Sequence, residues 1–163
     1  MFKYLKSIKL RDPAARNYLQ IILFYPGVHA VFWYKIASFF WRIKFKFIAE
    51  FLTYNVRMFT GIEIHPGCKI GKRLFIDHGH GIVIGETSII GDDCIIYQGV
   101  TLGAKNFNKE KRHPTIKNNC IIGSHAQIIG NITIGNNCKI GANAVVTKNV
   151  DDNQTIVSNN LSI

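Results

Sequence analysis

His78 and His80 stand one residue apart in the stretch "FIDHGHGIVIGET" (75–87), directly after Asp77 and among glycines and β-branched residues. An imidazole titrates near neutral pH, so it can take a proton from a hydroxyl and return it to a leaving group when a carboxylate holds the ring in place. Glu63, fifteen residues before His78, is a candidate for that carboxylate. A second polar concentration, "AKNFNKEKRHPT" (104–115), ends in Arg112-His113-Pro114. Arginine grips carboxylates through a planar fork of donors. Three readings of the histidine pair stand open at this level: solvated corner residues, metal ligands, or a general base with a bystander. The elements that carry them decide.

After Thr60-Gly61 the chain becomes a repeat of short apolar pieces separated by Gly, Asn and Asp. Ile64, Ile70, Ile76 and Ile82 form one six-residue series. Ile84, Ile90, Ile96 and Leu102 form a second, and Ile116, Ile122, Ile128, Ile134, Ile140 and Val146 a third. Pairs such as Asp92-Asp93, Asn118-Asn119 and Asn136-Asn137 recur after the aliphatic, and these residue types tolerate left-handed backbone at corners. A six-residue strand-plus-corner cannot bury its aliphatic alone, so such units stack. The periodicity predicts a mainly β fold, a solenoid of triangular coils with three hexapeptides each. Residues 1–60 read instead as a short helical segment, with Asp12-Pro13 as a helix start and two short buried helices meeting at Pro26-Gly27. The expected organisation is a helical segment 1–60, a solenoid 61–150 with a protruding loop 103–115, and a tail 151–163.

Composition narrows the partners. Residues 17–34 carry no Lys, Arg, Asp or Glu, yet Pro26-Gly27 breaks them below the roughly 20 apolar residues of a membrane span. The first residues lack a compact apolar core followed by a small-residue cleavage site, so a secretory signal is not expected there. Much of the net charge of +10 lies in Lys3, Lys6, Lys9, Arg11, Arg42, Lys44 and Lys46, away from the candidate chemistry, so neither nucleic acid nor membrane is expected as a partner. Cys68, Cys94, Cys120 and Cys138 each follow a series aliphatic by four residues. They read as small inward-facing thiols, which suits the cytoplasm, rather than as a metal framework.

The repeat fails twice. It slips by two residues between Ile82 and Ile84, just after the histidines, and it opens between Leu102 and Ile116 to admit the loop. Loops leaving a rigid scaffold often carry ligand chemistry. A metal would ask for histidines on successive coils, which this slip does not provide, so no metal is expected. A base at His78 fits better, with Glu63 nearly one coil away and expected under the ring.

The strings "TGIEIHPGCKIGKRLFIDHGHGIVIGET", "IYQGVTLG", "KRHPTI" and "IIGNITIGNNCKIGANAVV", with "RDPAA" (11–15) and "YPGVHA" (25–30), resemble the serine O-acetyltransferase family over roughly residues 10–150. The resemblance implies a left-handed parallel β-helix of hexapeptide repeats. It implies acetyl transfer from acetyl-CoA to the L-serine hydroxyl to give O-acetylserine for cysteine synthesis. His78 then corresponds to the general base and Glu63 to the carboxylate that orients it. Asp12, Asp77, Arg112 and His113 match residues that hold the amino acid, and His80 has no counterpart role. Gly103, Ala104, Ser124 and Ala142 fall where coenzyme A is bound, although Gly103-Ala104-Lys105-Asn106 departs from the family's Gly-Gly-Thr-Gly. The resemblance further implies a homotrimer with active sites between neighbouring solenoids. It suggests docking of the C-terminal Ile163 into O-acetylserine sulfhydrylase. Many relatives carry a longer N-terminal helical extension that joins trimers into hexamers, so a trimer is the expected assembly here.

Overall fold

The computed structural model describes residues 2–106 and 109–158. Helices α1 (Phe2–Arg11), α2 (Tyr18–Phe24), α3 (Pro26–Arg42) and α4 (Lys46–Thr60) precede the repeat. The expected helix start at Asp12-Pro13 is corrected. Asp12 closes the turn after α1, its Oδ1 accepting from Ala14 N at 2.8 Å, while α2 is capped by Asn17, whose side chain accepts from Gln20 N at 2.8 Å. Asp and Asn serve either role because both are short acceptors for nearby backbone N–H groups. The two helices do meet at Pro26, with Tyr25 held extended (φ −96°, ψ 103°) as a residue before proline prefers. They are not both buried: α2 buries only Ile21, because seven residues turn a single face inward. No helix among the described residues is long and apolar enough to cross a membrane.

Gly61, left-handed at φ 68°, ends α4 and admits the repeat. The strands are β1 (Glu63–Ile64), β2 (Lys69–Ile70), β3 (Phe75–Ile76), β4 (Val83–Ile84), β5 (Ile89–Ile90), β6 (Ile95–Ile96) and β7 (Thr101–Gly103). After the loop come β8 (Thr115–Ile116), β9 (Ile121–Ile122), β10 (Gln127–Ile129), β11 (Thr133–Ile134), β12 (Lys139–Ile140), β13 (Val145–Val146) and β14 (Thr155–Ile156). Each is short because a corner intervenes within every hexapeptide. Every third strand stacks in parallel, giving sheet A (β1-β4-β7-β10-β13), sheet B (β2-β5-β8-β11) and sheet C (β3-β6-β9-β12-β14). The register on sheet A runs Glu63, Val83, Thr101, Gln127, Val145, steps of twenty, eighteen, twenty-six and eighteen residues. Regular coils therefore use three hexapeptides, and the two long steps contain the slip and the loop.

The series aliphatics fill the prism. Ile64, Ile84, Leu102, Ile128 and Val146 enter from sheet A, Ile90, Ile116 and Ile134 from sheet B, and Ile76, Ile96, Ile122 and Ile140 from sheet C, all buried. Each such side chain contributes about 1.5–3 kcal/mol of apolar burial, which two-residue strands could not secure singly. The cysteines are free and buried. Cys94, Cys120 and Cys138 donate to Lys117 O, Gly135 O and Asp151 O at 3.0, 2.9 and 3.0 Å, so the thiols also tie successive coils together.

The solenoid passes residue 150: Ile134 bridges Val150, and β14 pairs with β12. The last step, Lys139 to Thr155, is sixteen residues, two short of a coil, and it breaks the sixfold phase that set the boundary in sequence. Residues 151–156 belong to the solenoid rather than to a tail. Ile163 lies outside the described residues.

Candidate active site

The first cluster sits at the corner between sheets C and A. Asp77 and His78 leave β3 there, and His78 takes a left-handed φ of 56°. The corner is stitched by Asp77 N to Ile96 O at 3.0 Å, Gly79 N to Asp77 O at 2.6 Å and Gly81 N to Gly61 O at 2.8 Å. The His78 side chain is 75% exposed, and its Nε2 lies 4.0 Å from Asp77 Oδ1, a charge contact beyond hydrogen-bonding reach. The helical segment closes over this corner because Gly27 in α3 lies against the backbone of Ile76, so close that a Cβ would stand 2.4 Å from Ile76 O. That approach delivers Tyr25, just before α3, and with it Asp12. The Tyr25 hydroxyl donates to Asp12 Oδ2. Burial raises the Asp77 carboxyl above its ordinary value; His78 partly offsets the rise and the Asp12 carboxylate adds to it. The corner thus gathers two carboxylates, an imidazole and a phenol, an arrangement suited to a cationic group next to a proton acceptor.

Arg11 fixes Asp12 from the other side. Its guanidinium donates to Asp93 O at 3.1 Å, Cys94 O at 3.3 Å and Arg73 O at 2.6 Å, pinning the end of α1 to the corner between sheets B and C.

The second cluster occupies the corner between sheets A and B, where the loop rejoins the solenoid. His113 is 7% exposed, its ring packed against Gly85, where a Cβ would fall 2.1 Å from Nε2. Thr87 organises the loop. Its Oγ1 accepts from Arg112 N at 3.0 Å and His113 N at 3.1 Å and meets His113 Nδ1 at 2.9 Å, while Thr87 N donates to the same Nδ1 at 3.2 Å. With both hydroxyl lone pairs taken and two donors aimed at Nδ1, the proton of the neutral ring belongs on Nε2. Burial lowers the His113 pKa, and Arg112 adds to the effect, so the ring is a neutral donor. Arg112 Nη2 stands 3.4 Å from Glu86 Oε2, and Lys111 Nζ donates to Thr87 O at 3.1 Å and His113 O at 2.5 Å. His65 backs the cluster one coil below, edge-on to Trp41 at 4.9 Å, with its Nδ1 accepting from Gly67 N at 3.0 Å.

Within one chain, Asp12, Asp77 and His78 are therefore together, and so are Arg112 and His113, but sheet A separates the two groups. Glu63 joins neither. The slip lengthens its coil to twenty residues, which seats Glu63 opposite Val83, five residues past His78, and its carboxylate pairs with Arg57 at 2.8 Å. Glu63, Arg57 and His80 line an open cavity of about 440 Å³ that does not include His78. His80 packs over Gly61, where a Cβ would stand 2.3 Å from Nδ1. The four coenzyme positions divide in the same way. Gly103 and Ala104 stand where sheet A runs into the loop, and half-buried Ser124 and exposed Ala142 lie on successive coils above the His78 corner. No group of three or more metal-ligating side chains occurs among the described residues.

Sequence reasoning missed Tyr25, Thr87 and Glu86. Tyr25 was present in the quoted "YPGVHA" as the residue that must be extended before Pro26. Thr87 had no signal, because its role arises only when the loop folds back across one coil.

Comparison with known proteins places the chain among its relatives. The bacterial transferase hexapeptide (six repeats) family matches residues 113–148. The chain is 52% identical over 128 residues to the serine acetyltransferase of Helicobacter pylori, covering 78% of this chain and 75% of that one. It is 48% identical over 160 residues to the serine acetyltransferase of Bacillus pumilus, covering 96% and 74%. Among solved structures it resembles serine acetyltransferase isoform 3 of Entamoeba histolytica in complex with cysteine, with TM-score 0.90, 44% identity and coverage of 95% of this chain and 55% of that one. It also resembles the Neisseria gonorrhoeae serine acetyltransferase in complex with serine, with TM-score 0.89, 39% identity and coverage of 93% and 62%. The chain spans less than two thirds of either solved chain. The expected left-handed parallel β-helix is the fold of these neighbours and of this chain.

Proposed function

Because the chain belongs to the serine acetyltransferase family, we propose that it transfers acetyl from acetyl-CoA to the hydroxyl of L-serine. His78 takes the hydroxyl proton, the oxygen attacks the thioester carbonyl, and the tetrahedral oxyanion collapses with cleavage of the C–S bond. The imidazolium then returns its proton to the departing thiolate. No acyl-enzyme forms, which agrees with four buried thiols. Backbone N–H groups near Gly103-Ala104 stabilise the oxyanion, and Ser124 and Ala142 face the coenzyme. Asp12 and Asp77 accept from the serine ammonium, and Arg112 with the Nε2–H of His113 donates to its carboxylate.

The observation that carries this reading is the charge sorting of the two clusters. The anionic one contains the base, and the cationic one contains a neutral imidazole whose free donor is fixed. They complement each other across neighbouring protomers of a homotrimer, where a second chain also covers the exposed His78 ring. The proposed setting is the cytoplasm, with O-acetylserine sulfhydrylase docking on Ile163.

Thiol release from acetyl-CoA tests the reaction directly. L-serine should support turnover where sugars and other amino acids do not, and His78→Ala should cost about a hundredfold to ten-thousandfold in kcat. Turnover with a sugar in place of serine, or a His78→Ala variant within tenfold of wild type, overturns the proposal.

A further inference from the structure

We propose that Tyr25 is a positioning residue for the serine ammonium, holding Asp12 opposite Asp77 through the hydrogen bond from its hydroxyl. The inference rests on the reaction proposed above and goes beyond it to a residue with no part in the chemistry.

The Asp12 carboxylate has both oxygens spoken for: Ala14 N donates to Oδ1 at 2.8 Å and Tyr25 donates to Oδ2. A carboxylate has about four lone-pair sites, so each oxygen keeps one for a further donor. The first bond only orients Asp12 within its own turn. The second ties it to the start of α3, and α3 is the element seated on Ile76, next to Asp77. Tyr25 itself has little freedom. Pro26 restricts its backbone, its carbonyl accepts from Val28 N at 3.0 Å, and its ring packs in the cluster built on Ile8, Ile21 and Phe75. Burial and the bond to Asp12 push its pKa to about 12, so the phenol stays a donor at any working pH. Burial is the main cause of the raised Asp77 carboxyl, and the Asp12 carboxylate adds to it, so the two carboxylates repel each other. Without a fixed donor, Asp12 relaxes away from Asp77 before substrate arrives, and the ammonium must then reassemble the clamp from its own binding energy.

Removing one donor to a charged acceptor while keeping the ring tests this. In Tyr25→Phe the KM for L-serine should rise about tenfold, the KM for acetyl-CoA should hold, and the loss should be carried by KM rather than kcat. A double-mutant cycle separates positioning from general loosening: in an Asp12→Asn background, Tyr25→Phe should change the serine KM less than twofold. A Tyr25→Phe enzyme with wild-type serine KM overturns the inference, and so does a full effect that persists in the Asp12→Asn background. A wild-type chain that turns over no serine overturns both this inference and the reaction it rests on. Turnover with an unaffected Tyr25→Phe variant overturns this inference alone.

Discussion

Thr87→Val removes one hydroxyl and keeps the shape of the side chain. Three contacts end there: Arg112 N at 3.0 Å, His113 N at 3.1 Å and His113 Nδ1 at 2.9 Å. A neutral hydrogen bond contributes about 0.5–1.5 kcal/mol net, and a buried group left unpaired costs about 1–3 kcal/mol. His113 is nearly inaccessible, so water cannot fully replace the lost partner, whereas Arg112 is reachable from solvent. The structure therefore assigns the substitution a cost of about 2–4 kcal/mol, less than three full penalties and more than one. For a chain of this length that is a fall in Tm of about 4–16 °C. Thermal unfolding followed by circular dichroism measures it, with Thr87→Ser as the control that restores the hydroxyl.

The same substitution has a kinetic signature. Thr87 N still donates to Nδ1, but the second donor is gone, so the ring no longer holds Nε2–H in a fixed direction. The KM for serine should rise several-fold in Thr87→Val and stay near wild type in Thr87→Ser. If Thr87→Val unfolds within 1 °C of wild type and keeps the serine KM, the hydroxyl does not organise the loop, and the fixed tautomer of His113 falls with it.

Two further outcomes follow from other contacts. Burial holds both His113 and His65 below their ordinary value of 6.5, so between that value and the lowered ones the unfolded chain binds protons the folded chain does not. Stability is then present above pH 6.5 and lost as pH falls below it; Tm measured from pH 7.5 to 5 should decline, with a shallower decline in His113→Gln, and parallel curves would exclude His113 from the effect. Gly27→Ala places a Cβ 2.4 Å from Ile76 O, a backbone atom that cannot yield, so α3 must lift from β3. That should cost about 1–3 kcal/mol and raise the serine KM as Tyr25 and Asp12 move with the helix; a variant with wild-type Tm and KM would place the two elements farther apart.

The solenoid was legible because its signal repeats: an aliphatic every six residues leaves little room for another period, and the slip and the loop stood out as departures from it. Departures also limited the reading. Counting residues placed Glu63 under His78, yet the slip that exposes His78 also lengthens the coil and moves Glu63 to the level of Val83. The boundary at 150 failed similarly, since a coil two residues short leaves no hexad to count although it still pairs, Lys139 with Thr155. Arg112 and His113 stood out at the end of the loop that interrupts the repeat, whereas Asp12 and Asp77 were pointed to only by the resemblance to the serine O-acetyltransferase family. Thr87 and Tyr25 were not, because a hydroxyl shows its purpose only through partners brought near by the fold.

The geometry of one chain also decides how many chains the proposed reaction needs. The ammonium nitrogen and the carboxylate of an amino acid are about 3 Å apart. The His78 corner and the Gly85 surface under His113 lie on opposite edges of sheet A, and five extended residues at about 3.3 Å each put roughly 15 Å between those edges. No rearrangement of side chains closes such a gap, and the sheet cannot bend to close it, because Ile84 and Leu102 on its inner side are packed against the other two faces of the prism. A single small zwitterion held at both ends must therefore find its anionic clamp on one prism and its cationic clamp on another. The proposed reaction then needs at least two chains side by side, and a monomer should retain its fold while losing the serine site.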